Sequence, residues 1–295
     1  MIEEELGSGS FGSVFKVKDN KTGEFRAIKI SNTGINIIDK KRFIDENLIL
    51  YKLSPHPRIL TPHTKVIEIE KPFQITYYVM ELGDCDLAVF INTNQLTDTE
   101  KLEIFSSICE GMQHAHNNSV VHRDLHYKNI LIIKKNGQLE FKINDFGRAK
   151  DFDIDSLSEI PCWGFYVSPP EFRFKIWETP QLQNYIPGDI YALGIILFTL
   201  FSTFPSLPIT SLFSNINEFF NQQGVKDIGN ITYKKREYLY QEWLKTKAPD
   251  KLFALALKDY ALQTSLNGVI EKLCNMDFNK RYKDINSILK DISKI

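Results

Sequence analysis

Cysteine is scarce in this chain, and the few that occur stand apart. Cys85, Cys109, Cys162 and Cys274 form no CxxC pair. That spacing argues against a zinc site and against a disulfide-stapled scaffold, and it fits a reducing compartment. Neither sign of charge dominates. Lys and Arg number 36 against 37 Asp and Glu, a formal net charge of -1. There is no global basic field for nucleic acid and no acidic tail. A long apolar run is missing as well. The most apolar stretch, residues 190–201, is shorter than the roughly 20 residues that a bilayer-spanning helix needs. It reads as a buried core helix, so no membrane segment is expected. The N-terminus, Met-Ile-Glu-Glu-Glu, has neither the basic start nor the apolar stretch of a signal peptide. A cytoplasmic, soluble protein is the expectation. With 295 residues, 43% of them hydrophobic, the chain can bury a self-sufficient core.

What is present changes character along the chain. Residues 7–17 and 24–30 carry strand patterns around a Gly-rich turn, and Asn20 and Gly23 supply a tight connection. Residues 40–53 are helical, with Phe43, Glu46, Asn47 and Leu50 at helical spacing, and Pro55 and Pro57 stop them. Residues 66–69 and 74–80 return to strand on either side of Pro72. Beyond Gly83 the pattern is helical. Thr97 and Glu100 form a capping box in front of a helix that reaches about His116. A hairpin follows over Asn136-Gly137, and from Pro187 onward the chain is mostly helix. The predicted fold class is α+β and two-lobed. A small β-rich lobe (residues 1–82) precedes a larger, mainly helical one (83–295), with the hinge at residues 81–85.

Three runs carry chemistry. Gly7-Ser8-Gly9-Ser-Phe-Gly12-Ser-Val14 is followed by strand-like sequence rather than by a helix. That favours a β-hairpin flap over phosphates, where glycine lets backbone approach oxygen without a Cβ in the way. Standing alone it would equally suit a surface loop. Lys29, in Ala27-Ile28-Lys29, lies on a strand with apolar neighbours and needs a carboxylate to fix it; Glu46 is the candidate. Then come His122-Arg123-Asp124-Leu125-His126-Tyr127-Lys128-Asn129 and, after the hairpin, Asp145-Phe146-Gly147. Asp124 suits proton acceptance from a hydroxyl. Asn129 and Asp145 are hard oxygen ligands of the kind that hold Mg2+.

In order and spacing, these runs resemble the GxGxxGxV flap, the strand lysine, the HRDxxxxN catalytic loop and the DFG of eukaryotic-type protein kinases. The resemblance covers nearly the whole chain. It implies phosphoryl transfer from ATP, as its Mg2+ complex, to a hydroxyl of a protein substrate. By the same resemblance Lys29 pairs the α- and β-phosphates. Met80 takes the gatekeeper position, and the Glu81 carbonyl and Gly83 amide hold the adenine edge. Val14, Ala27 and Leu131 sandwich the ring, and Asp86 is a candidate for the ribose. Pro169-Pro170-Glu171 stands where the family carries APE. Asp189 matches the aspartate that opens the central helix, and Arg281 the arginine that pairs with the APE glutamate.

Four features depart from the family pattern. His126 stands where Ser/Thr kinases usually have lysine, and Lys128 where tyrosine kinases more often have arginine; either is a candidate for a catalytic cation. The histidine also resembles the HxDLHxxN loop of aminoglycoside and choline phosphotransferases, which generally lack the flap, the DFG and the APE support set. Ahead of Glu171, Tyr166 is displaced by one residue, and Cys162 or Trp163 replaces the expected threonine. Serine/threonine specificity is the expectation, with tyrosine or dual specificity open. A pseudokinase scaffold would lack Lys29, Asp124 or Asp145, and all three are present. Residues 224–249 are longer than the usual connection and read as a partner-docking site or as a surface insertion. The chain begins close to Gly7, so a short first strand is expected. Finally, Arg123 can bind a phosphate on the loop carrying Ser156 and Ser158, or be satisfied by Asp151, Asp153, Asp155 or Glu159.

Overall fold

The structure, a computed structural model, describes residues 1–9, 11–32, 34, 36–70, 74–154, 168–178, 180–202, 209–250 and 252–295. Pro72, Ser156, Ser158 and the segment 161–166, all singled out in the sequence, lie outside these residues. The chain divides into two compact units. One comprises Met1–Gln95, Glu110–His122 and Tyr127–Ser158; the other comprises Leu96–Cys109, Arg123–His126 and Glu159–Ile295.

In the first unit, β1 (Ile2–Ser8), β2 (Gly12–Lys18) and β3 (Phe25–Ser31) form an antiparallel meander. The stretch read as one strand over 7–17 is therefore the end of β1, a turn and β2; the Gly9 amide closes that turn on the Gly12 carbonyl (2.9 Å). β1 is not short. All seven of its residues lie in strand, and its ladder with β2 starts at Ile2↔Val17, shifted by irregularities near Glu4 and Gly7. Helix α1 (Ile37–Leu53) follows, its first turn capped by Asn36, whose side chain accepts from the Asp39 amide. β4 (Ile67–Ile69) and β5 (Ile75–Met80) complete a five-stranded sheet in the order β1-β2-β3-β5-β4. The short β6 (Cys85–Asp86) leads into α2 (Leu87–Thr93).

Helix α3 (Asp98–Asn117) begins at the anticipated capping box. The Glu100 amide donates to Thr97 Oγ1 (3.2 Å), and the Thr97 amide donates to Glu100 (2.8 Å). β7 (Val120–Val121), β8 (Ile130–Lys135), β9 (Gln138–Ile143) and β10 (Lys150–Asp151) then form two small sheets, β6-β8-β9 and β10-β7. The β8–β9 hairpin turns at Asn136 (φ 52°) and Gly137 (φ 80°), the left-handed pair that a two-residue turn requires.

The second unit is helical from α4 (Pro170–Arg173) through α5 (Leu182–Phe201), α6 (Ile209–Gln222), α7 (Tyr233–Thr246) and α8 (Tyr260–Leu273) to α9 (Ile285–Ile292). Helix α5 starts earlier than the sequence suggests. Pro187 lies inside it, and Asp189 sits within the helix instead of opening it. The Gln181 amide donates to Asn184 (2.8 Å) and caps the first turn. The helical bond that Pro187 forfeits is lost between turns already buried at Tyr185, Gly188 and Ile190. By length and composition this 20-residue helix is apolar enough to cross a membrane, which the shorter run read from sequence was not. Most of it is buried within the protein, however, and it carries buried Asp189. Gly194 lets α8 pack close, since a Cβ there would lie 2.3 Å from the Cys274 sulfur.

A buried ion pair of this unit joins Arg281 to Glu171. Nη1 and Nη2 donate to the two carboxylate oxygens at 2.7 and 2.9 Å, with both side chains fully buried. Nη1 also donates to the Pro187 carbonyl (2.9 Å) and Nε to the Asn275 carbonyl (2.7 Å). Truncating one partner strands a buried charge, which typically costs about 3–5 kcal/mol. Arg281→Met is expected to lose stability on that scale in urea denaturation, and the Arg281→Met/Glu171→Leu double variant to lose less. A single variant as stable as wild type would contradict this.

Candidate active site

Strand parity assembles the first part of the site. Side chains alternate along a strand. Val14 pairs with Lys29, Lys29 with Tyr78, and Ala27 with Met80. Val14, Ala27, Lys29, Tyr78 and Met80 therefore share one face of the sheet. The buried side of α1, formed by Phe43, Glu46, Asn47 and Leu50, covers part of the same unit's core. Lys29 Nζ lies 2.7 Å from both Oε1 and Oε2 of Glu46, and 3.9 Å from Oδ1 of Asp145. The Tyr78 hydroxyl donates to Glu46 Oε1 (3.0 Å). Lys29 is 8% exposed and Glu46 1%, so this is a charge cluster in a nearly dry setting.

The protonation states follow from that setting. Burial opposes the Lys29 charge, but the Glu46 and Asp145 carboxylates outweigh it and hold the lysine above its ordinary pKa. Burial pushes the Glu46 carboxyl up, with Lys29 pulling against it. Burial and the Glu46 charge push Tyr78 well above the usual phenol range, so it remains a donor.

The glycines divide by role. At Gly7 an added Cβ would meet nothing within 4 Å, and at Gly9 only the Gly12 carbonyl at 3.9 Å. These positions leave room beside the flap, as a phosphate cradle requires. Gly12 is glycine for a different reason: its Cβ would lie 2.3 Å from the Ile30 carbonyl oxygen, so strand packing fixes it. Ser8 is exposed, and its hydroxyl shares a hydrogen bond with Ser13 (3.0 Å).

Around the end of β5, Met80 is buried, and a Cβ on Gly83 would press on Leu131 at 3.1 Å, so Gly83 and Leu131 stand together. The Glu81 carboxylate is held by Lys142 (2.8 Å), while its amide donates to the Thr61 carbonyl (2.9 Å). Asp86 uses Oδ1 to cap α2 at the Val89 amide (2.8 Å).

The Asn144 amide donates to the Asn129 carbonyl (2.8 Å), which ties the loop bearing Asn129 to the residue before Asp145. His122 secures the same segment: its Nε2 lies 3.0 Å from the Asn144 carbonyl, and its ring packs on Phe146 at 4.7 Å. Asp145 has φ 57°, a left-handed conformation that a residue with a Cβ adopts at a cost and that concentrates at functional sites. One amide and one carboxylate fit Mg2+, which keeps several waters and takes phosphate oxygens for the remainder. Gly147 permits the packing: a Cβ there would meet Asp145 Oδ1 at 3.1 Å and Glu46 Oε2 at 3.2 Å. Lys128 lies exposed on a 3-10 turn, Tyr127–Asn129.

Asp124, Leu125 and His126 belong to the second unit. There Arg123 is buried with φ 62°, and its amide donates to Asp189 Oδ1 (2.9 Å). This bond and the Arg281–Glu171 pair anchor the segments that carry Asp124 and α4. Asp124 and His126 are half-buried beside the fully buried Leu125.

A protein kinase domain family model matches residues 1–291. The chain belongs to the protein kinase domain family. It is 32% identical over 206 residues to mitogen-activated protein kinase spm1 of Cytospora mali, covering 68% of this chain and 47% of that protein. It is 30% identical over 230 residues to mitogen-activated protein kinase mpkA of Aspergillus fumigatus, covering 76% and 52%. It is 30% identical over 198 residues to the "Probable serine/threonine-protein kinase KIN1 homolog" of Enterocytozoon bieneusi, covering 66% and 31%. The chain spans about half the length of the first of these relatives.

Two contacts of this kinase domain escaped the sequence reading. Tyr78 bonds Glu46; the parity of β5, which puts Tyr78 on the Met80 face, was the available signal. Asp151 and Asp153, weighed as partners for Arg123, are held instead by Lys52 at 2.6 and 2.8 Å. Lys52 lies near the end of α1, and nothing in local spacing links it to residues a hundred positions away.

Lys29 and Glu46, joined by two contacts of 2.7 Å, are expected to act as one unit. Lys29→Met and Glu46→Ala are each expected to lower activity by about two orders of magnitude, the scale on which misplaced reacting groups cost rate. Their combination should fall short of additivity by about 0.5–3 kcal/mol in a double-mutant cycle. Full additivity would show that Glu46 does not act through Lys29.

Proposed function

We propose that this chain transfers the γ-phosphoryl group of ATP to serine or threonine hydroxyls of protein substrates. The observation that carries the reading is the buried Lys29–Glu46 pair with Asp145 3.9 Å from the lysine. A fixed ammonium beside a carboxylate that can hold metal is what a triphosphate and its cation require. The serine/threonine assignment draws on the name of the Enterocytozoon bieneusi relative. A cytoplasmic setting fits the free cysteines Cys85, Cys109 and Cys274.

In this reading the backbone of the Gly7–Gly9 flap and the Lys29 ammonium hold the phosphates. Val14, Ala27 and Leu131 enclose the adenine, Met80 closes the back of its pocket, and the Glu81 carbonyl and Gly83 amide meet its edge. Asn129 and Asp145 hold Mg2+, which when bound neutralises charge on the transferring phosphoryl group. Asp124 orients the substrate hydroxyl and accepts its proton as that oxygen bonds to the γ-phosphorus and ADP departs. A cation near the phosphoryl oxygens lowers the barrier; exposed Lys128 is assigned that part ahead of the half-buried His126.

Incubation with labelled ATP and generic protein substrates, followed by phosphoamino-acid analysis, tests the reading. Phosphoserine and phosphothreonine are expected, absent in Asp124→Asn while its ATP affinity changes little. Phosphotyrosine alone, or wild-type turnover in Asp124→Asn, would overturn it.

A further inference from the structure

Residues 224–249 take no part in the chemistry above, yet the structure builds a wall from them. Arg236 of α7 is buried, and its guanidinium is spent entirely on backbone. Nε donates to the Ile231 carbonyl (2.9 Å), Nη2 to the Gly229 carbonyl (2.9 Å) and Nη1 to the Lys175 carbonyl (3.4 Å). The Tyr233 ring lies 4.4 Å from it. This clamp ties the turn before α7 to the end of α4. It also holds Lys175 at φ 48°, a left-handed conformation costly for a residue with a Cβ.

Beside the clamp lies a cleft of about 440 Å3 whose lining includes Arg173 and Lys175 from the end of α4, Lys226 and Asp227 from the turn after α6, and Ser168. Three cations face one carboxylate. That carboxylate already accepts from the Gly229 amide (2.8 Å). Arg173 is the telling residue. It is half-buried, its guanidinium carbon lies 3.9 Å from the centroid of the Phe213 ring, and among the described residues no carboxylate pairs with it. Burial lowers its pKa. A partly desolvated guanidinium that no described carboxylate pairs is a cost that a bound carboxylate would recover through paired N–H bonds.

We infer that this cleft binds an acidic segment, rich in Asp and Glu, of the protein substrate. The inference rests on the kinase reading above for the word substrate, and on the cleft alone for the charge. The cations come from two separate stretches of chain and line a space large enough for several side chains. Such a distribution matches a run of single carboxylates better than one compact phosphate dianion. Arg173, stacked on Phe213, is the buried anchor. Lys175 and Lys226 are exposed and supply long-range attraction, sensitive to salt. Ser168, which lines the cleft, directly precedes Pro169-Pro170-Glu171 in the chain. A substrate lying along that segment would therefore carry its acidic residues to one side of the acceptor hydroxyl.

The test is fluorescence anisotropy of the full chain with a labelled peptide of alternating Glu and Gly. The comparison peptides replace Glu by Gln, or carry a single phosphoserine among Gly. The Glu peptide should bind best and weaken with salt. Arg173→Gln should weaken it about tenfold, as loss of a partner from a desolvated charge pair does, and Lys226→Glu, at an exposed position, should weaken it in the same direction. With acceptor peptides followed by Glu, both variants should raise KM and leave kcat unchanged, while peptides followed by Gln should be indifferent to them. Equal binding of Glu and Gln peptides, preference for the phosphoserine peptide, or binding that neither variant changes would overturn the inference. If no acceptor is phosphorylated while the Glu peptide still binds through Arg173, the transfer reading fails and the acidic-ligand cleft stands.

Discussion

Placing an ammonium and a carboxylate under a β-sheet, both almost free of water, is expensive unless each satisfies the other. Desolvation opposes both charges, and the Coulomb gain offsets it only with good geometry and additional hydrogen bonds. Lys29 and Glu46 meet that condition through two contacts of 2.7 Å and a third partner, Tyr78. The other features of the first unit serve the same arrangement. Strand register places Val14, Ala27, Tyr78 and Met80 on the lysine's face, and the capped α1 delivers Glu46. His122 and the Asn144–Asn129 bond carry Asp145 to within 3.9 Å of the ammonium. The pair is a weak source of stability by this logic; in the proposed function its value lies in fixing a charge where phosphates would sit.

The second unit repeats the principle with different residues. Asp189 accepts from the Arg123 amide, and Arg281 holds Glu171. Each of these bonds spans a long stretch of sequence and ends on a segment bearing chemistry, either the loop of Asp124 or the helix after residues 161–169. A buried charge pair cannot slide without leaving a charge unpaired, so such contacts specify position more than they stabilise. Residues 224–249 extend the scheme: Arg236 is wholly committed to carbonyls, and its effect is to shape a cationic cleft.

Much of this was legible in the sequence because several signals are local or motif-like. The capping box at Thr97, the Asn136-Gly137 turn and the helical spacing of Phe43, Glu46 and Leu50 all have short-range causes. The pairing of Lys29 with Glu46 is legible because a strand lysine among apolar neighbours needs a carboxylate to fix it. The errors arose where tertiary packing overrides local pattern. Pro187 looked like a helix start but lies inside α5, since burial sustains the helix around it. The close approach of the Ile30 carbonyl to Gly12 is a packing constraint that the glycine motif alone does not reveal. Lys52 and its aspartates gave no signal, because no periodicity joins a helix end to a strand so distant in sequence.

The central claim is that Lys29, Glu46 and Asp145 form a site for a metal-bound triphosphate. Calorimetric titration of ATP into the wild-type chain and into Asp145→Ala, with and without Mg2+, addresses it most directly. The account predicts that Mg2+ tightens ATP binding in the wild type and that most of this gain disappears in Asp145→Ala. Equal affinity with and without Mg2+ in the wild type, or an undiminished gain in the variant, would contradict it.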